Sequence, residues 1–375
     1  MKSLRVAIVH DYLREFGGAE RVVESLHNIF PEAPIFTAYY NPSGLGIHNE
    51  RIKKWDIRTS WLQKLPLANK LISPLRVIAP MVFESFDFKD YDVVISSCAI
   101  YFSKAVITSP KTLHISYIHT PPRYLYGYTT SFNYKKNPIT RLLGELANHA
   151  LRFYDFETSQ RPDILVANSQ NVAARIKKFY RRAAQVIYPP VAVDEIRSLS
   201  SKLKPQTKDY FLSLSRLVRG KGVDLVVRAC TQLKLPLKVA GSGPELESLK
   251  KIAGPTIEFV GHVSDEERVS LYAGAKALIL MAEDEDFGIT AVESQASGTP
   301  VIASRTGGYL ETIIAGKTGE FVEIAEGEEA TENLELVLKS FNPDRYKATD
   351  CQKSAERFSE QKFKELILKL VTSAQ

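Results

Sequence analysis

The sequence predicts an α/β protein of two domains, each a parallel β-sheet with helices on both faces. Short apolar runs typical of strands alternate with helical periodicity along nearly the whole chain. The runs are almost continuously apolar, as expected for strands that are buried on both faces. A chain of 375 residues is also too long for one compact core. Because such sheets bind ligands beyond the carboxyl ends of their strands, the residues that follow each strand are the candidates for a site.

The predicted elements follow one another in the same order in both halves. In the first half, the strand candidates are Val6–His10, Ile35–Tyr39, Val93–Ser97, Leu113–Ile118, Ile164–Asn168 and Val186–Tyr188. The helical patterns of that half are Ala19–Phe30, Thr140–Glu157 and Asn171–Tyr180. The second-half strands are Phe211–Ser215, Leu237–Ala240, Ile257–Val260, Ala277–Met281 and Val301–Ala303. The second-half helices are Val223–Leu233, Glu245–Ile252, Asp265–Ala275, Ile289–Ser297, Leu310–Ala315 and Glu360–Leu370.

Composition and charge exclude several protein classes. No apolar run approaches the ~20 residues of a membrane-spanning helix, and Leu4–Val9 is too short for the core of a signal peptide. The three cysteines form neither a metal pattern nor a disulfide framework, which predicts a reducing, cytoplasmic setting. No nucleic-acid-binding module is recognisable. The polar, aperiodic stretch Ser198–Lys208 follows Pro189-Pro190, and we predict a domain boundary there, with domains at 1–195 and 205–355.

The stretch Met281–Glu293 combines the features of a ligand site. A buried strand ends in the run Glu-Asp-Glu-Asp, and Gly288 then lets the backbone approach a ligand as a helix begins. The free N–H groups of a helix start suit a phosphate. Glu285 and Glu293, with seven residues between them, are placed to accept hydrogen bonds from sugar hydroxyls. The alternative is a solvated acidic loop followed by a helix with one surface glutamate.

Cations and glycines follow two other strand candidates of the second half. Arg216 and Lys221, in the run Arg-Leu-Val-Arg-Gly-Lys-Gly, come after a strand, where they are candidates to clamp a diphosphate. Arg219 is a weaker candidate, and a basic surface loop is the alternative. Gly241, in Gly-Ser-Gly, begins a tight turn that would face a nucleotide, although a lone Gly-x-Gly is weak evidence. Val263 lies beside a candidate pocket for the base.

In the first half, two strand ends carry candidate residues. Gly17 and Gly18 begin a helix after the first strand. This turn is a candidate to approach donor phosphates or an acceptor. A flexible turn between strand and helix is the alternative. His119 follows an apolar strand and precedes a rigid proline pair, and we expect it to face the ligand site and bond a sugar hydroxyl. His10 also ends a strand, and for it a ligand role and a structural role stay open. No histidine has metal-ligand spacing with a carboxylate or cysteine.

Several motifs in order along the chain carry a family resemblance. They are Gly17-Gly18-Ala-Glu-Arg-Val, Asp92-Val-Val-Ile-Ser-Ser, His119-Thr-Pro-Pro-Arg-Tyr, Ala167-Asn-Ser-Gln, Val186-Ile-Tyr-Pro-Pro-Val, Arg216-Leu-Val with Lys221-Gly, and Glu285-Asp-Phe-Gly through Glu293. On them the chain resembles, over essentially its full length, the retaining glycosyltransferases of family four, also called glycosyltransferase group 1. It looks most similar there to bacterial O-antigen and exopolysaccharide mannosyltransferases.

The resemblance implies a GT-B fold, in which two Rossmann-like domains face each other across a cleft, with the last helix, 356–375, crossing back to the first domain. Arg216 and Lys221 would hold the donor diphosphate and stabilise the departing nucleotide. Glu285 would contact the donor sugar and Glu293 the nucleotide ribose. Backbone amides of Phe287, Gly288 and Ile289 would bind sugar or phosphate, and His119 would contact the transferred sugar. No metal or other cofactor would be required.

The implied reaction is retaining transfer of a hexose, with mannose from GDP-mannose as the expected donor and a glycan or lipid-linked glycan of the cell surface as acceptor. Another nucleotide sugar such as a UDP-sugar stays open, because no residue shows a guanine pocket. A non-catalytic nucleotide-binding membrane adaptor is the alternative from another class. The resemblance does not explain Glu283, Asp284 and Asp286, beside which a bound cation stays open.

The segment 51–80 has the composition of a membrane-facing surface. It holds seven basic residues and one acid, and it contains both tryptophans of the chain, Trp55 and Trp61. Leucines and an isoleucine are interleaved with these residues: Leu62, Leu65, Leu67, Leu71 and Ile72. Such a mixture suits an anionic lipid surface, so we expect peripheral contact with the cytoplasmic face of a membrane. A basic loop that caps the first domain with core-facing leucines is the alternative.

Overall fold

A computed structural model of the chain describes residues 4–66, 74–130, 138–203, 208–325 and 327–373. The chain divides into two compact units. Unit 1 comprises Met1–Tyr128, Asn133–Pro190 and Gln361–Gln375, and unit 2 comprises Thr129–Phe132 and Val191–Glu360. The chain therefore passes from one unit to the other more than once.

Unit 1 is built on a parallel sheet. Its strands are β1 (Val6–His10), β2 (Ile35–Thr37), β3 (Ile57–Thr59), β4 (Val93–Cys98), β5 (Leu113–Ile118), β6 (Ile164–Ala167) and β7 (Gln185–Val186). They lie in the order β3-β2-β1-β4-β5-β6-β7. The α-helices before residue 191 are α1 (Gly18–Ile29), α2 (Pro42–Leu45), α3 (Asn49–Ile52), α4 (Ala79–Glu84), α5 (Pro138–Ser159) and α6 (Gln170–Tyr180).

Unit 2 repeats this plan with a second parallel sheet. Its strands are β8 (Tyr210–Leu214), β9 (Leu237–Ala240), β10 (Ile257–Gly261), β11 (Ala275–Leu280), β12 (Val301–Ser304) and β13 (Gly319–Val322). Their order is β10-β9-β8-β11-β12-β13. The helices are α7 (Val193–Lys202), α8 (Val223–Gln232), α9 (Leu246–Ile252), α10 (Asp265–Ala273), α11 (Ile289–Ala296), α12 (Tyr309–Thr312), α13 (Glu328–Ser340) and α14 (Ala348–Ala355).

Both faces of the first sheet are buried, because neighbouring residues of β1 enter different core clusters. Val6 and Ile8 pack in one cluster, whereas Ala7 and Val9 pack in the other. The last helix, α15 (Glu360–Ser373), contributes Phe363, Ile367 and Leu370 to the cluster around Ile8. The end of the chain is therefore part of the core of unit 1.

The predicted α/β architecture of two parallel sheets is confirmed, with differences in particular elements. The stretch from Ser198 was predicted to be an aperiodic linker, which is wrong as far as Lys202, because α7 continues to that residue. The edge strands β3 and β13 were not predicted. The helix predicted at Leu310–Ala315 is only the short α12. Within the described ranges, no helix is long and apolar enough to cross a bilayer.

Each sheet has one point at which the strand order reverses. In unit 1 it lies between β1 and β4, and in unit 2 between β8 and β11. The loops that follow these strands lie at the carboxyl edge of each sheet, where open parallel sheets bind their ligands. The residues that follow β1, β4, β8 and β11 are therefore the ones that the fold places at candidate sites.

Candidate functional site

In unit 2, the structure brings Lys221 and Glu285 together at the reversal point. Lys221 lies in the loop after β8, and Glu285 lies in the loop after β11, the strand that pairs with β8. Lys221 Nζ donates to Glu285 Oε2 at 2.7 Å, and the hydroxyl of Tyr309 reaches the same oxygen at 3.4 Å. The Lys221 and Glu285 side chains are 27% and 17% exposed, so the pair is held by protein yet open to a ligand.

The loop that carries Lys221 packs tightly on the end of β11. Gly222 has φ of +64°, and a Cβ added there would lie 2.1 Å from the carbonyl oxygen of Met281. The N–H of Glu283 donates to the carbonyl of Gly220 at 3.2 Å. A side chain at 222 would push the two loops apart, so glycine there fixes the distance between Lys221 and the acidic turn.

The predicted basic partner Arg216 lies at the same edge but is solvent-exposed. Its backbone neighbours are held by the Gly241 turn, since Ser215 N–H donates to Ala240 and Leu217 N–H donates to Ser242. In the part of the chain that the structure describes, the Arg216 guanidinium makes no hydrogen bond or ion pair with protein. The structure therefore places Arg216 and Gly241 side by side at the mouth of the site, with the Arg216 cation available to an anion.

The turn into α11 presents backbone N–H groups. Gly288 precedes the helix with φ of +93°, and a Cβ there would touch the Tyr309 ring at 3.0 Å. Phe287 is buried and packs edge-on against Phe358, with ring centroids 5.2 Å apart. Ile289 is the first helical residue. The buried ring of Phe287 holds this turn in place, and the left-handed backbone of Gly288 sets the direction in which α11 begins.

Glu293 is buried rather than open, with 2% of the residue exposed. Its Oε2 accepts a hydrogen bond from the Tyr272 hydroxyl at 2.9 Å, and its Oε1 lies 3.4 Å from the Arg268 guanidinium. Burial opposes the charge of Arg268, but Glu293 and Asp265 outweigh it and hold the pKa of Arg268 above its ordinary value. Arg268 and Tyr272 lie on α10, so Glu293 links α11 to α10 in this structure. Val263, just before α10, is half-buried.

Two of the extra acids have partners. Thr129, which belongs to unit 2, donates through its N–H to Asp284 and through its hydroxyl to Glu283, at 3.2 and 2.7 Å. These carboxylates therefore bind a separate stretch of chain, which accounts for part of the acidic run without a cation.

In unit 1, a chain of hydrogen-bonded, buried polar side chains lies at the point where the strand order reverses. His10 Nε2 lies 3.4 Å from Glu20, and His10 Nδ1 lies 3.2 Å from both the carbonyl and the hydroxyl of Ser97. Ser97 Oγ is 2.8 Å from His119 Nε2. Glu20 also accepts from the N–H of Gly17 at 2.8 Å, so the glycine turn at the start of α1 joins the same network.

The protonation states in this chain follow from burial and charge. Burial lowers the pKa of His10, but Glu20 and Asp11 outweigh burial and hold it above its ordinary value. Burial and the positive charge of His10 lower the pKa of His119 to about 4. When His10 is protonated, its Nδ1–H donates to the carbonyl or the hydroxyl oxygen of Ser97, and the Ser97 hydroxyl then donates to His119 Nε2. His119 then keeps its proton on Nδ1 as a neutral donor.

Asp11 fixes the backbone around this chain. Its Oδ2 accepts from the N–H groups of Ala99, Ile100 and Tyr101, and its Oδ1 accepts from that of Ser103. Although burial raises the pKa of Asp11, the charge of His10 and these donors hold it below its ordinary value. The loops that follow β1 and β4 are therefore joined through one ionised carboxylate.

The predicted surface 51–80 is only partly a surface. Trp55 is half-buried and packs against the core cluster of β1, with its ring 4.7 Å from that of His27, so part of its side chain faces protein. Leu62 is fully buried, whereas Trp61 and Leu65 are 41% and 38% exposed. The side chains of Leu67, Lys70, Leu71 and Ile72 lie outside the described residues.

Sequence reasoning missed the residues that hold the predicted ones in place. Tyr272 and Arg268 hold Glu293, Tyr309 supports Glu285, and Glu20 and Ser97 complete the histidine chain. Glu20 and Ser97 lie inside the quoted motifs, which was the available signal. Nothing in the sequence around Tyr272 or Arg268 indicates that they face a residue on another helix.

Residues 194–364 match the family of "Glycosyl transferases group 1". The chain is 25% identical to the alpha-1,3/1,6-mannosyltransferase ALG2 of Mus musculus, over 95% of this chain and 93% of that protein. It is 34% identical to a GDP-mannose-dependent alpha-(1-6)-phosphatidylinositol monomannoside mannosyltransferase of Mycolicibacterium smegmatis, over 29% of this chain. It is 26% identical to a D-inositol 3-phosphate glycosyltransferase of Nocardioides, over 54% of this chain. The last two matches span only 33% and 50% of those relatives' own length.

Solved structures share the fold at low sequence identity. Anabaena HepE in complex with UDP-glucose has a TM-score of 0.70 and 16% identity, covering 99% of this chain and 100% of that one. Sucrose-phosphate synthase from Thermosynechococcus elongatus has a TM-score of 0.69 and 18% identity, covering 99% of both chains. Together with the two Rossmann-like sheets, these findings assign residues 194–364 to the glycosyl transferases group 1 and give the whole chain the GT-B fold of these glycosyltransferases.

Proposed function

We propose that this chain is a retaining mannosyltransferase that moves mannose from GDP-mannose onto a glycan or lipid-linked glycan acceptor in the synthesis of cell-surface polysaccharide. The observation that carries the proposal is the pairing of Lys221 with Glu285 beside the helix start at Ile289. Two relatives, a mannosyltransferase and a GDP-mannose-dependent mannosyltransferase, support the choice of sugar and nucleotide.

The electrostatics of this edge suit a nucleoside diphosphate as leaving group. Charge grows on the diphosphate as the bond to the sugar breaks, and preorganised positive groups lower the barrier by stabilising it. Lys221, the exposed Arg216 and the N–H groups at the start of α11 supply those positive groups. They allow the reaction to proceed without a divalent cation, and we propose that none is required.

Glu285 and His119 have different roles in this proposal. Glu285 accepts hydrogen bonds from hydroxyls of the donor sugar while it keeps Lys221 oriented. In unit 1, His119 is proposed to donate from Nδ1 to a sugar oxygen. Attack by the acceptor on the face that the nucleotide leaves retains the anomeric configuration and needs no protein base. Backbone amides of Phe287, Gly288 and Ile289 bind phosphate or sugar, and Glu293 together with Val263 and Gly241 belongs to the nucleotide end. In unit 1, the Gly17-Gly18 turn is proposed to approach the donor phosphates or the acceptor.

The test is transfer from GDP-mannose by Lys221→Met and Glu285→Gln. We expect each to lower kcat by about 100-fold or more, as the loss of one transition-state donor does in other enzymes. Lys339→Met is the matched control, because Lys339 pairs with Glu335 on α13 and has no place in the proposed site. Near-wild-type turnover in both site variants would contradict the proposal, provided that the Tm of each variant equals that of the wild type.

A UDP-sugar is the second candidate donor. The fold neighbour HepE is a complex with UDP-glucose, which favours testing this donor beside GDP-mannose. A side-by-side comparison of kcat/KM separates the two. Absence of transfer or hydrolysis with every nucleotide sugar would instead favour the non-catalytic adaptor.

The acceptor side of the proposal involves a membrane. We propose that the chain works at the cytoplasmic face of an anionic membrane, where lipid-linked acceptors would be presented. The basic residues of 51–80 supply charge of the right sign, and Trp61 and Leu65 remain exposed within that segment.

A further inference from the structure

Two side chains of α10 contact different oxygens of the Glu293 carboxylate. The Tyr272 hydroxyl donates to Oε2 at 2.9 Å, and the Arg268 guanidinium lies 3.4 Å from Oε1. The first distance is that of a hydrogen bond, whereas the second is longer than the about 2.7–2.9 Å of a charge-assisted hydrogen bond. The tyrosine hydroxyl therefore sets the position of this carboxylate more directly than the arginine does.

Arg268 has a nearer carboxylate on its own helix. Its guanidinium lies 2.8 Å from Asp265 Oδ1, and its side chain is 15% exposed. Among the described residues, its buried Nε has no hydrogen-bond partner. A buried N–H without a partner is costly, so a closer approach of Glu293 to this guanidinium would be favourable. The hydroxyl of Tyr272 holds the carboxylate back from that closer ion pair.

Tyr272 can hold Glu293 because its own position is fixed. The side chain is fully buried in a core cluster that also contains Ala291 and Tyr309. Its carbonyl accepts a hydrogen bond from the hydroxyl of Thr299 at 2.7 Å. A residue that is packed on its side chain and bonded through its backbone keeps its hydroxyl at one point beside α11.

Glu293 has the chemistry to bind hydroxyl groups and not phosphates. An ionised carboxylate only accepts hydrogen bonds, and it repels anions. Its side chain is 2% exposed, so a small movement toward Arg268 is enough to withdraw the carboxylate from a ligand. Within a nucleotide, the hydroxyls of the ribose are therefore the groups that suit Glu293.

We propose that Tyr272 is a positioning residue for the nucleotide ribose, because its hydroxyl holds Glu293 where the carboxylate accepts a hydrogen bond from a ribose hydroxyl. Tyr272 is fully buried and acts only through Glu293. Without the hydroxyl, Glu293 moves toward Arg268 and the ribose loses its acceptor. The inference rests on the proposed place of Glu293 at the nucleotide end of the site. It applies to guanosine and uridine nucleotides alike, since both carry ribose.

The experiment is calorimetric titration of the full chain with GDP and with 2′,3′-dideoxy-GDP, which lacks both ribose hydroxyls. We expect Tyr272→Phe to bind GDP about tenfold more weakly, the order expected when one hydrogen bond to a charged group is lost. Its affinity for 2′,3′-dideoxy-GDP should stay within about twofold of the wild type, because that ligand makes no bond for Tyr272 to support. In steady-state transfer, Tyr272→Phe should raise KM for the donor more than it lowers kcat.

Tyr210→Phe is the matched control. The Tyr210 hydroxyl donates to the carbonyl of Leu271 on the same helix at 2.9 Å, and not to Glu293. This variant therefore loses an equivalent hydroxyl and should bind both ligands like the wild type. Glu293→Gln should lose the preference for GDP over its dideoxy form. Tyr272→Phe/Glu293→Gln should bind GDP no more weakly than Glu293→Gln, because Tyr272 acts through Glu293.

Several outcomes would overturn the inference. Equal weakening of GDP and 2′,3′-dideoxy-GDP binding in Tyr272→Phe would show that the hydroxyl acts only on the structure. A double variant that binds GDP more weakly than Glu293→Gln would show that Tyr272 acts through another group. Selective binding of UDP by the wild type would contradict the proposed donor alone, and the ribose comparison would then use UDP and 2′,3′-dideoxy-UDP. A wild type that binds no nucleoside diphosphate would overturn both.

Discussion

At the scale of single residues, one serine hydroxyl decides which nitrogen of His119 carries the proton. Ser97 Oγ lies between His10 Nδ1 and His119 Nε2, at 3.2 and 2.8 Å. Glu20 and Asp11 raise the pKa of His10 and so favour its protonated form, which leaves the hydroxyl hydrogen of Ser97 to point to His119. Within the described residues, Nδ1 of His119 has no protein hydrogen-bond partner, so its proton is available for a sugar oxygen. Ser97 is a positioning residue in this account.

We expect Ser97→Ala to lower kcat about fivefold, because the ring of His119 loses one hydrogen bond worth about 1 kcal/mol. KM for the donor should change less than kcat, and Ser97→Thr should restore part of the loss. The measurement is steady-state transfer with the proposed donor. Ser96→Ala is the matched control, since Ser96 bonds His114 and Ser116 instead. An equal loss in both alanine variants would show that the hydroxyl acts only on stability.

At the scale of elements, the loop between β8 and α8 depends on a glycine. Gly222 has a left-handed backbone and no room for a Cβ against Met281, whereas Gly316, also left-handed with φ of +71°, has nothing within 4 Å. Gly316→Ala should therefore cost only the strain of the backbone, about 1 kcal/mol. Gly222→Ala should cost at least about 1 kcal/mol more, since a backbone carbonyl must move. Urea unfolding measures both, and equal losses would contradict this packing.

A second element-scale prediction concerns the buried pair that joins α5 to the 3₁₀ turn Ser103–Ala105. Lys104 and Asp155 are fully buried. Lys104→Met should lower the free energy of unfolding by about 3–5 kcal/mol, because a charged carboxylate loses its cation. Lys104→Met/Asp155→Leu should be more stable than the single variant, as neither charge remains. A double variant that is less stable than the single one would show that the tyrosine bonds to Asp155 matter more than the pair.

The sequence predicts the central strands well, whereas among the edge strands β7 and β10 were predicted and β3 and β13 were not. Val6–His10 and Leu113–Ile118 were predicted residue for residue, because both are central strands with several apolar residues and are almost wholly buried. Ile57–Thr59 and Gly319–Val322 are edge strands, and their apolar pattern is interrupted by Arg58 in the first and by Gly319 and Glu320 in the second. The Lys221–Glu285 pair follows from strand order, so proximity was predictable. The burial of Glu293 was not, because it depends on Arg268 and Tyr272 of another helix.

At the scale of the whole molecule, buried histidines make stability depend on pH. Burial lowers the pKa of His114 to about 3 and that of His119 to about 4. Both pKa values lie below the ordinary 6.5, so the unfolded chain takes up protons first as the pH falls, and stability decreases below about pH 6.5. His10 has a raised pKa and acts in the opposite direction, losing its contribution only as the pH rises above 6.5.

The expected loss between about pH 6.5 and pH 5 is about 3 kcal/mol from His114 and His119 together. His114→Gln should reduce that pH-dependent difference by about half, even if the variant is less stable at every pH. Urea unfolding at both pH values gives the difference directly. A pH dependence that is unchanged in His114→Gln would contradict the neutral, buried state of this histidine.

The central claim is that the edge of unit 2 around Lys221 and Glu285 binds a guanosine diphosphate sugar. A thermal-shift panel of GDP, GDP-mannose, UDP and UDP-glucose on the wild type and Lys221→Met tests it directly. At a ligand concentration of about 100 times Kd, binding adds about 2.7 kcal/mol and raises Tm by several degrees. We predict that only GDP and GDP-mannose give this shift and that Lys221→Met loses it. Selective stabilisation by the uridine ligands, or an undiminished GDP shift in Lys221→Met, would contradict the claim.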